Sequence, residues 1–358
     1  MAEVFMNIGV ISEFNPFHEG HKYLFSRIRE RYPDSKIICI MSGNFVQRGD
    51  FAVFNKFSRA EAALRSGADL IIELPPEQAL LSAEGFARSA VRLAESLGIM
   101  DVLAFGAEND NIDMLRETAH RLKSPALQEK IRMKMKDGLS YPAARNRVIN
   151  NDILESPNNI LACEYIKETK LDCFAVKRIG KGHDSDDKLY SASEIRKSLP
   201  ADCTASIKNC ESAILYRLRT MTKADFMKIA DVSEGLENRL YEAAGSAAGF
   251  TDFIFSVKSK RYTLSRIRRI AIRAYLGIEG KSYDVPVIRV LGFNANGREL
   301  LGQIKKCADK KIITKLSDCG KDDIAYFNKQ CLYTDLYGLA FKNPLPRGAE
   351  QRSQIVII

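Results

Sequence analysis

The chain has 358 residues, 46% of them hydrophobic and 28% charged, with a formal charge of +9. This is the composition of a folded protein with one large core or two to three smaller ones, and a basic balance that suits a polyanionic partner without identifying it. No run of about 20 uncharged apolar residues occurs, MAEVFMNIGV at 1–10 lacks the basic region and apolar run of a secretion signal, and the eight cysteines form no C-x-x-C pair, so the sequence predicts a cytoplasmic protein with reduced thiols and no membrane association.

In chain order, Ile8 to Ile11 reads as a buried strand and HKYLFSRIRERY from His21 to Tyr32 as an amphipathic helix with Leu24, Phe25 and Ile28 inward, stopped by Pro33 and Asp34. SKIICIMSG is a second strand, FSRAEAALRSG a second helix, ADLIIELP a third strand, FARSAVRLAESLG a third helix and MDVLAFGAE a fourth strand. Alternation of this kind predicts an α/β fold with a parallel sheet covered on both faces. Residues 111–170 read as mostly helical and DCFAVKRIG as a further strand, followed by a Gly/His/Asp loop and by YSASEIRKSL, where Ser191 or Ser193 can cap a helix bearing Ile195 and Arg196. From about 201 to 280 helices dominate, and 285–358 mixes the strand-like VPVIRVLGF with a small C-terminal α/β pattern. The division this suggests is 1–200 and 201–358.

Two of only four histidines, His18 and His21, flank Gly20 in FNPFHEGH, directly after the first strand. In open α/β sheets that loop is where ligands bind. Gly20 permits close backbone approach, the helix start aims free N–H groups at the loop, and two imidazoles can face one anion, which suits a polyphosphate. The spacing is not the H-E-x-x-H of a zinc protease. A plainer reading makes the histidines helix caps, Gly106 a tight-turn residue and Arg196 a solvated helix residue. A basic stretch, VKSKRYTLSRIRRIAIRAYLG, puts Leu264, Ile267, Ala271 and Ala274 inward and Arg266, Arg269 and Arg273 on another face suited to phosphates. Tyr262 can stack on a base or pack into the fold.

His18, Gly20 and His21 together with SASEIR at 191–196 resemble the nucleotidylyltransferase superfamily. FNPFHEGH, SGNFVQRGD, KFSRAEAAL, ADLIIELP, FGAE, SPNNILACEY, VKRIG and VKSKRYTLSRIRR resemble, in order and over most of the chain, the tRNA(Met) cytidine acetate ligase family. The resemblance implies a Rossmann-like catalytic domain that uses ATP to turn acetate into acetyl-adenylate. The acetyl group then passes to N4 of the wobble cytidine of elongator tRNA(Met), and residues 201–358 bind the tRNA. It implies nucleotide binding over Ile11, Ser12, Glu13, Phe14, Asn15, Pro16, Phe17, His18, Glu19, Gly20, His21, Lys22, Tyr23 and Leu24, and at Gly106, Asn159 and Arg178. His18, His21 and Lys22 are then the catalytic candidates, with Ser193 and Arg196 as further phosphate donors and Mg2+ carried mainly by the triphosphate. Glu13 and Asp50 are candidate bases for the transfer step. A small-molecule nucleotidylyltransferase accounts only for the nucleotide loop, and a noncatalytic RNA-binding protein chiefly for the basic stretch.

Overall fold

The computed structural model describes residues 5–178, 192–233, 235–315 and 318–358. Its strands are β1 (Asn7–Ser12), β2 (Lys36–Ser42), β3 (Phe45–Val46), β4 (Asp50–Phe51), β5 (Leu70–Leu74), β6 (Val102–Ala107), β7 (Asp172–Lys177), β8 (Ile288–Phe293), β9 (Ile312–Ile313) and β10 (Val356–Ile357). The main sheet runs β10-β8-β5-β2-β1-β6-β7, with β9 beside β8. Strands β1, β2, β5, β6 and β7 are mutually parallel. The chain winds outward from β1 through β2 to β5, then crosses back to β6 on the other side, so β1 lies at the reversal of strand order where such sheets open a crevice at their carboxyl ends.

Burial on both faces explains the near-continuous apolar strands. In β2, Ile38 and Ile40 enter the core under the Ala83–Ser96 and Pro157–Glu168 helices. Ile37, Cys39 and Met41 enter the opposite core with Leu24, Phe25 and Ile28 of α1 (Glu19–Arg31) and Ala60, Ala63 and Leu64 of α2 (Lys56–Arg65). A third cluster joins the helices Ile207–Arg219, Leu236–Ser246, Phe250–Val257 and Leu264–Leu276, and it includes Phe45 and Phe51 of the β3–β4 hairpin. No helix among the described residues is long and apolar enough to cross a membrane.

The C-terminal pattern does not build a separate layer. β8 pairs antiparallel with β5, and β10 and β9 run parallel to β8, so the tail extends the first sheet beyond β5. All six residues of β8 are buried, which is why VPVIRVLGF reads as a strand. A buried ion cluster fastens this extension: Lys56 Nζ lies 2.7 Å from Glu73 and 2.9 Å from Glu350, and Arg289 lies 3.6 Å from Glu350. The sequence gives a division near residue 200, but the sheet itself draws strands from both sides of it.

Candidate nucleotide site

The loop after β1 turns sharply, with Phe14 at φ 43°, and delivers His18 as the N-cap of α1. The helix starts at Glu19, two residues before the expected His21, because the imidazole of His18 does what a serine or aspartate usually does at a cap. His18 Nδ1 accepts from the Gly20 N–H at 3.0 Å, and His21 Nδ1 accepts from the His18 N–H at 3.2 Å. The capping reading is thus seen directly, and it uses only the Nδ1 side of each ring. With both Nδ1 atoms used as acceptors, the proton of each neutral ring sits on Nε2, leaving two outward N–H donors. The rings lie 4.0 Å apart, and Phe14 meets His21 edge-on at 4.9 Å. Burial, reinforced by the Arg178 guanidinium, pulls His18 down to about 4. Burial and the neighbouring His18 hold His21 well below the usual range. Both imidazoles are thus neutral at pH 7, so they act as hydrogen-bond donors and not as permanent cations.

These rings open onto a cavity of about 1770 Å³ lined by Ile11, Ser12, Glu13, Phe14, Asn15, Gly20, Tyr23, Leu24, Gly106, Arg178, Ser193 and Arg196 as well. A nucleotide-sized pocket needs about 300–1,000 Å³, so there is room for a second substrate beside it. Gly106 is the penultimate residue of β6, where the Arg178 side chain passes: a Cβ there would sit 3.3 Å from Arg178 Cγ. Arg196 reaches back to the loop, donating from Nη1 to Asn15 O at 2.7 Å. Ser12 Oγ is buried and has no hydrogen-bond partner among the described residues, an unmet polar group in the cavity wall.

Other expected residues stand elsewhere. Lys22 is exposed, does not line the cavity, and has its ammonium 2.6 Å from Glu19 on the outer side of α1. Position 22 is one step round the helix from His21, which turns its side chain away. Pro16, Phe17 and Glu19 do not line the cavity, and the Phe17 ring packs against Phe25 of α1. Asn159 is buried behind the β6 loop, where Oδ1 accepts from the Asn109 N–H at 2.9 Å, and its neighbour Asn158 faces the cavity. Ser193 lies inside the Ala192–Ser198 helix, not at its cap, and Ser191 lies outside the described residues.

The basic stretch forms the opposite wall, differently from its sequence reading. Arg273 is 2% exposed and donates to Glu77 O and Gly280 O at 2.8 and 2.7 Å. Arg269 is buried with Asp231 at 3.8 Å, Arg266 donates to Asp231 O at 2.7 Å, and Tyr262 is buried. Leu264, expected inside, is exposed. The helix is enclosed on several sides: a Cβ on Gly49, at φ +74°, would come 2.4 Å from Arg269 N, so the β3–β4 hairpin presses directly on it. Arg261, Arg266 and Lys281 still line the cavity.

Sequence reasoning missed Arg59. This 1%-exposed guanidinium on α2 donates to the carbonyls of Glu13 at 2.6 Å, Ser42 at 3.0 Å, Phe54 at 2.9 Å, and Gly43. It ties the carboxyl ends of β1 and β2 together beneath the site. An arginine on the apolar side of an amphipathic helix was the available signal.

A parallel sheet with paired imidazoles capping the first helix defines a nucleotidyl transferase, and the family model described as HIGH Nucleotidyl Transferase matches residues 6–352. A tRNA(Met) cytidine acetate ligase of Acetivibrio thermocellus is 33% identical over 98% of this chain and 99% of its own length, and one of Thermoanaerobacter sp. is 37% identical over 94% and 96%. The crystal structure of Thermotoga maritima TmcAL bound with alpha-thio ATP superposes with a TM-score of 0.87, at 29% identity over 99% of this chain and 100% of that one. The chain belongs to the tRNA(Met) cytidine acetate ligase family of HIGH nucleotidyl transferases.

Proposed function

We propose that the protein uses ATP to activate acetate as acetyl-adenylate, releasing pyrophosphate, and transfers the acetyl group to N4 of the wobble cytidine of elongator tRNA(Met). The observation that carries this reading is the pair of neutral Nε2–H donors of His18 and His21 at the head of α1, facing a cavity that also holds Arg178 and Arg196. An acetate oxygen attacks the α-phosphorus, and the bond to pyrophosphate breaks as its electron pair leaves with the pyrophosphate oxygen. Charge grows on the phosphate oxygens in that step, where preorganised donors in a poorly solvated site stabilise it most. The free N–H groups of α1 add to the same field. The product is a mixed anhydride whose leaving group is AMP, a far better one than oxide.

Mg2+ would be held through the triphosphate. Among the described residues no three His, Cys, Asp or Glu side chains are placed to bind a metal, and the ion would neutralise the departing pyrophosphate. The excess cavity volume, walled by Arg261, Arg266 and Lys281, supports entry of a polyanionic RNA acceptor from the helical side, with residues 201–358 as the RNA-binding part. The test is acetate-dependent exchange of labelled pyrophosphate into ATP without tRNA. Exchange that needs acetate supports adenylation; exchange that ignores acetate points to a different small-molecule nucleotidylyltransferase, and none at all to a noncatalytic RNA-binding protein.

A further inference from the structure

Acetyl transfer to an exocyclic amine must remove one N–H proton, and the histidines are unsuited to take it. Their Nδ1 atoms are engaged by the Gly20 and His18 N–H groups, and their Nε2 atoms already carry protons. Most carboxylates lining the cavity are also committed. Asp50 accepts from Arg268 at 2.6 Å and from the Phe51 N–H at 2.9 Å. Glu108 accepts from Asn158 and from the Asn159 N–H, Glu164 holds Lys167, and Glu84 holds Arg88.

Glu13 differs. It is the first residue after β1, half-buried, with its side chain in the cavity wall. Oε1 accepts from the Gln47 N–H at 2.6 Å, whereas Oε2 has no hydrogen-bond partner among the described residues. Gln47 belongs to the β3–β4 hairpin, whose Phe45 and Phe51 sit in the helical core and whose Asp50 is tied by Arg268 to the Leu264–Leu276 helix. The carboxylate therefore stands at the seam between the nucleotide wall and the wall bearing Arg261 and Arg266. Its backbone carbonyl is fixed by Arg59 at 2.6 Å, so both ends of the residue are held.

Resting on the acetate ligase reading above, we propose that Glu13 is the base of the transfer step, its Oε2 accepting a proton from the acceptor's exocyclic amine. The N4–carbon bond forms as the carbonyl carbon's bond to the AMP phosphate oxygen breaks, that electron pair leaves with AMP, and the proton passes through Glu13 to water. Burial raises the proton affinity of Glu13, opposed by the Gln47 N–H and by the guanidiniums of Arg48, Arg59 and Arg196. Among the described residues, Tyr165 on the Pro157–Glu168 helix also feels its charge. An acceptor-only oxygen here also favours an amine over a carbonyl, because the O4 of uracil would set two lone-pair oxygens against each other.

The test uses Glu13→Gln, which keeps an amide oxygen for the Gln47 N–H but cannot act as a base, with Glu13→Asp beside it. Single-turnover acetyl transfer to tRNA is expected to fall at least about 10²-fold in Glu13→Gln, with a drop in acetate-dependent pyrophosphate exchange smaller by about a factor of ten or more. The acid limb of the wild-type transfer rate against pH is expected to vanish in Glu13→Gln and to survive, at reduced rate, in Glu13→Asp. Equal losses in exchange and transfer, or transfer within about threefold of wild type with its acid limb intact, would overturn the assignment. Wild-type protein showing no acetate-dependent exchange would overturn the adenylation reading itself.

Discussion

Gly20→Ala separates the stability of α1 from the chemistry of its cap. A Cβ at position 20 would lie 2.8 Å from His18 Cε1 and 3.0 Å from His18 Nδ1. Ordinary carbon contacts are about 3.5–4.0 Å, so the imidazole must retreat by roughly 0.7–1.2 Å and its bond to the Gly20 N–H is lost. Losing an N-cap costs about 1 kcal/mol, while alanine in a helix gains up to about 1 kcal/mol over glycine, so net stability stays within about 1 kcal/mol of wild type. The donor is not compensated in this way. A misplacement near 1 Å costs on the order of 10²-fold in rate, or about 2.7 kcal/mol of barrier. Pyrophosphate exchange should therefore fall about 10²-fold in a protein whose denaturant midpoint barely moves. Exchange within about threefold of wild type would refute the placement of His18 against the reacting phosphate.

In 15N spectra, His18 and His21 should show the Nε2–H tautomer at pH 7, with His18 titrating near 4. Because its folded value lies below the usual 6.5, the unfolded chain binds more protons between those values, so His18 makes the fold less stable as pH falls from 6.5 to about 4. Lys56→Met leaves Glu73 and Glu350 buried without their shared cation and should destabilise by about 3–5 kcal/mol. Both carboxyls then hold protons in the folded state above the pH at which the unfolded chain loses them, so urea titrations should show a larger deficit at pH 8 than at pH 5. The double change Lys260→Gln and Arg261→Gln should weaken tRNA binding and reduce its logarithmic salt slope by about 1–2; an unchanged slope would move the RNA surface elsewhere.

The sequence exposed the sheet well because parallel strands buried on two faces become apolar runs: β2, β5 and β6 lie within the segments read as strands, and β1 extends one residue beyond its reading at each end. The attachment of β8 was hidden, since an apolar run does not state which edge it joins or in which direction. The site was legible where side-chain type and spacing coincide, at His18, Gly20 and His21. It was illegible where a partner distant in sequence decides the role. Periodicity put Arg269 and Arg273 on an outer face, but the β3–β4 hairpin and the Glu77 and Gly280 carbonyls enclose that face. Arg59 was passed over because the four carbonyls that converge on it, those of Glu13, Ser42, Gly43 and Phe54, all lie outside its own helix. Lys22, adjacent to a catalytic candidate in sequence, points away because successive helical residues lie about 100° apart.

Acetate ligation is put to the test by supplying labelled acetate and ATP, without coenzyme A, to elongator tRNA(Met) transcripts bearing either cytidine or uridine at the wobble position. Acid-stable label is expected as N4-acetylcytidine in the first transcript, with one AMP formed per acetyl transferred, and no label in the second. Label that requires acetyl-coenzyme A would contradict adenylation by the His18–His21 site, and equal label on the uridine transcript would contradict the proposed acceptor.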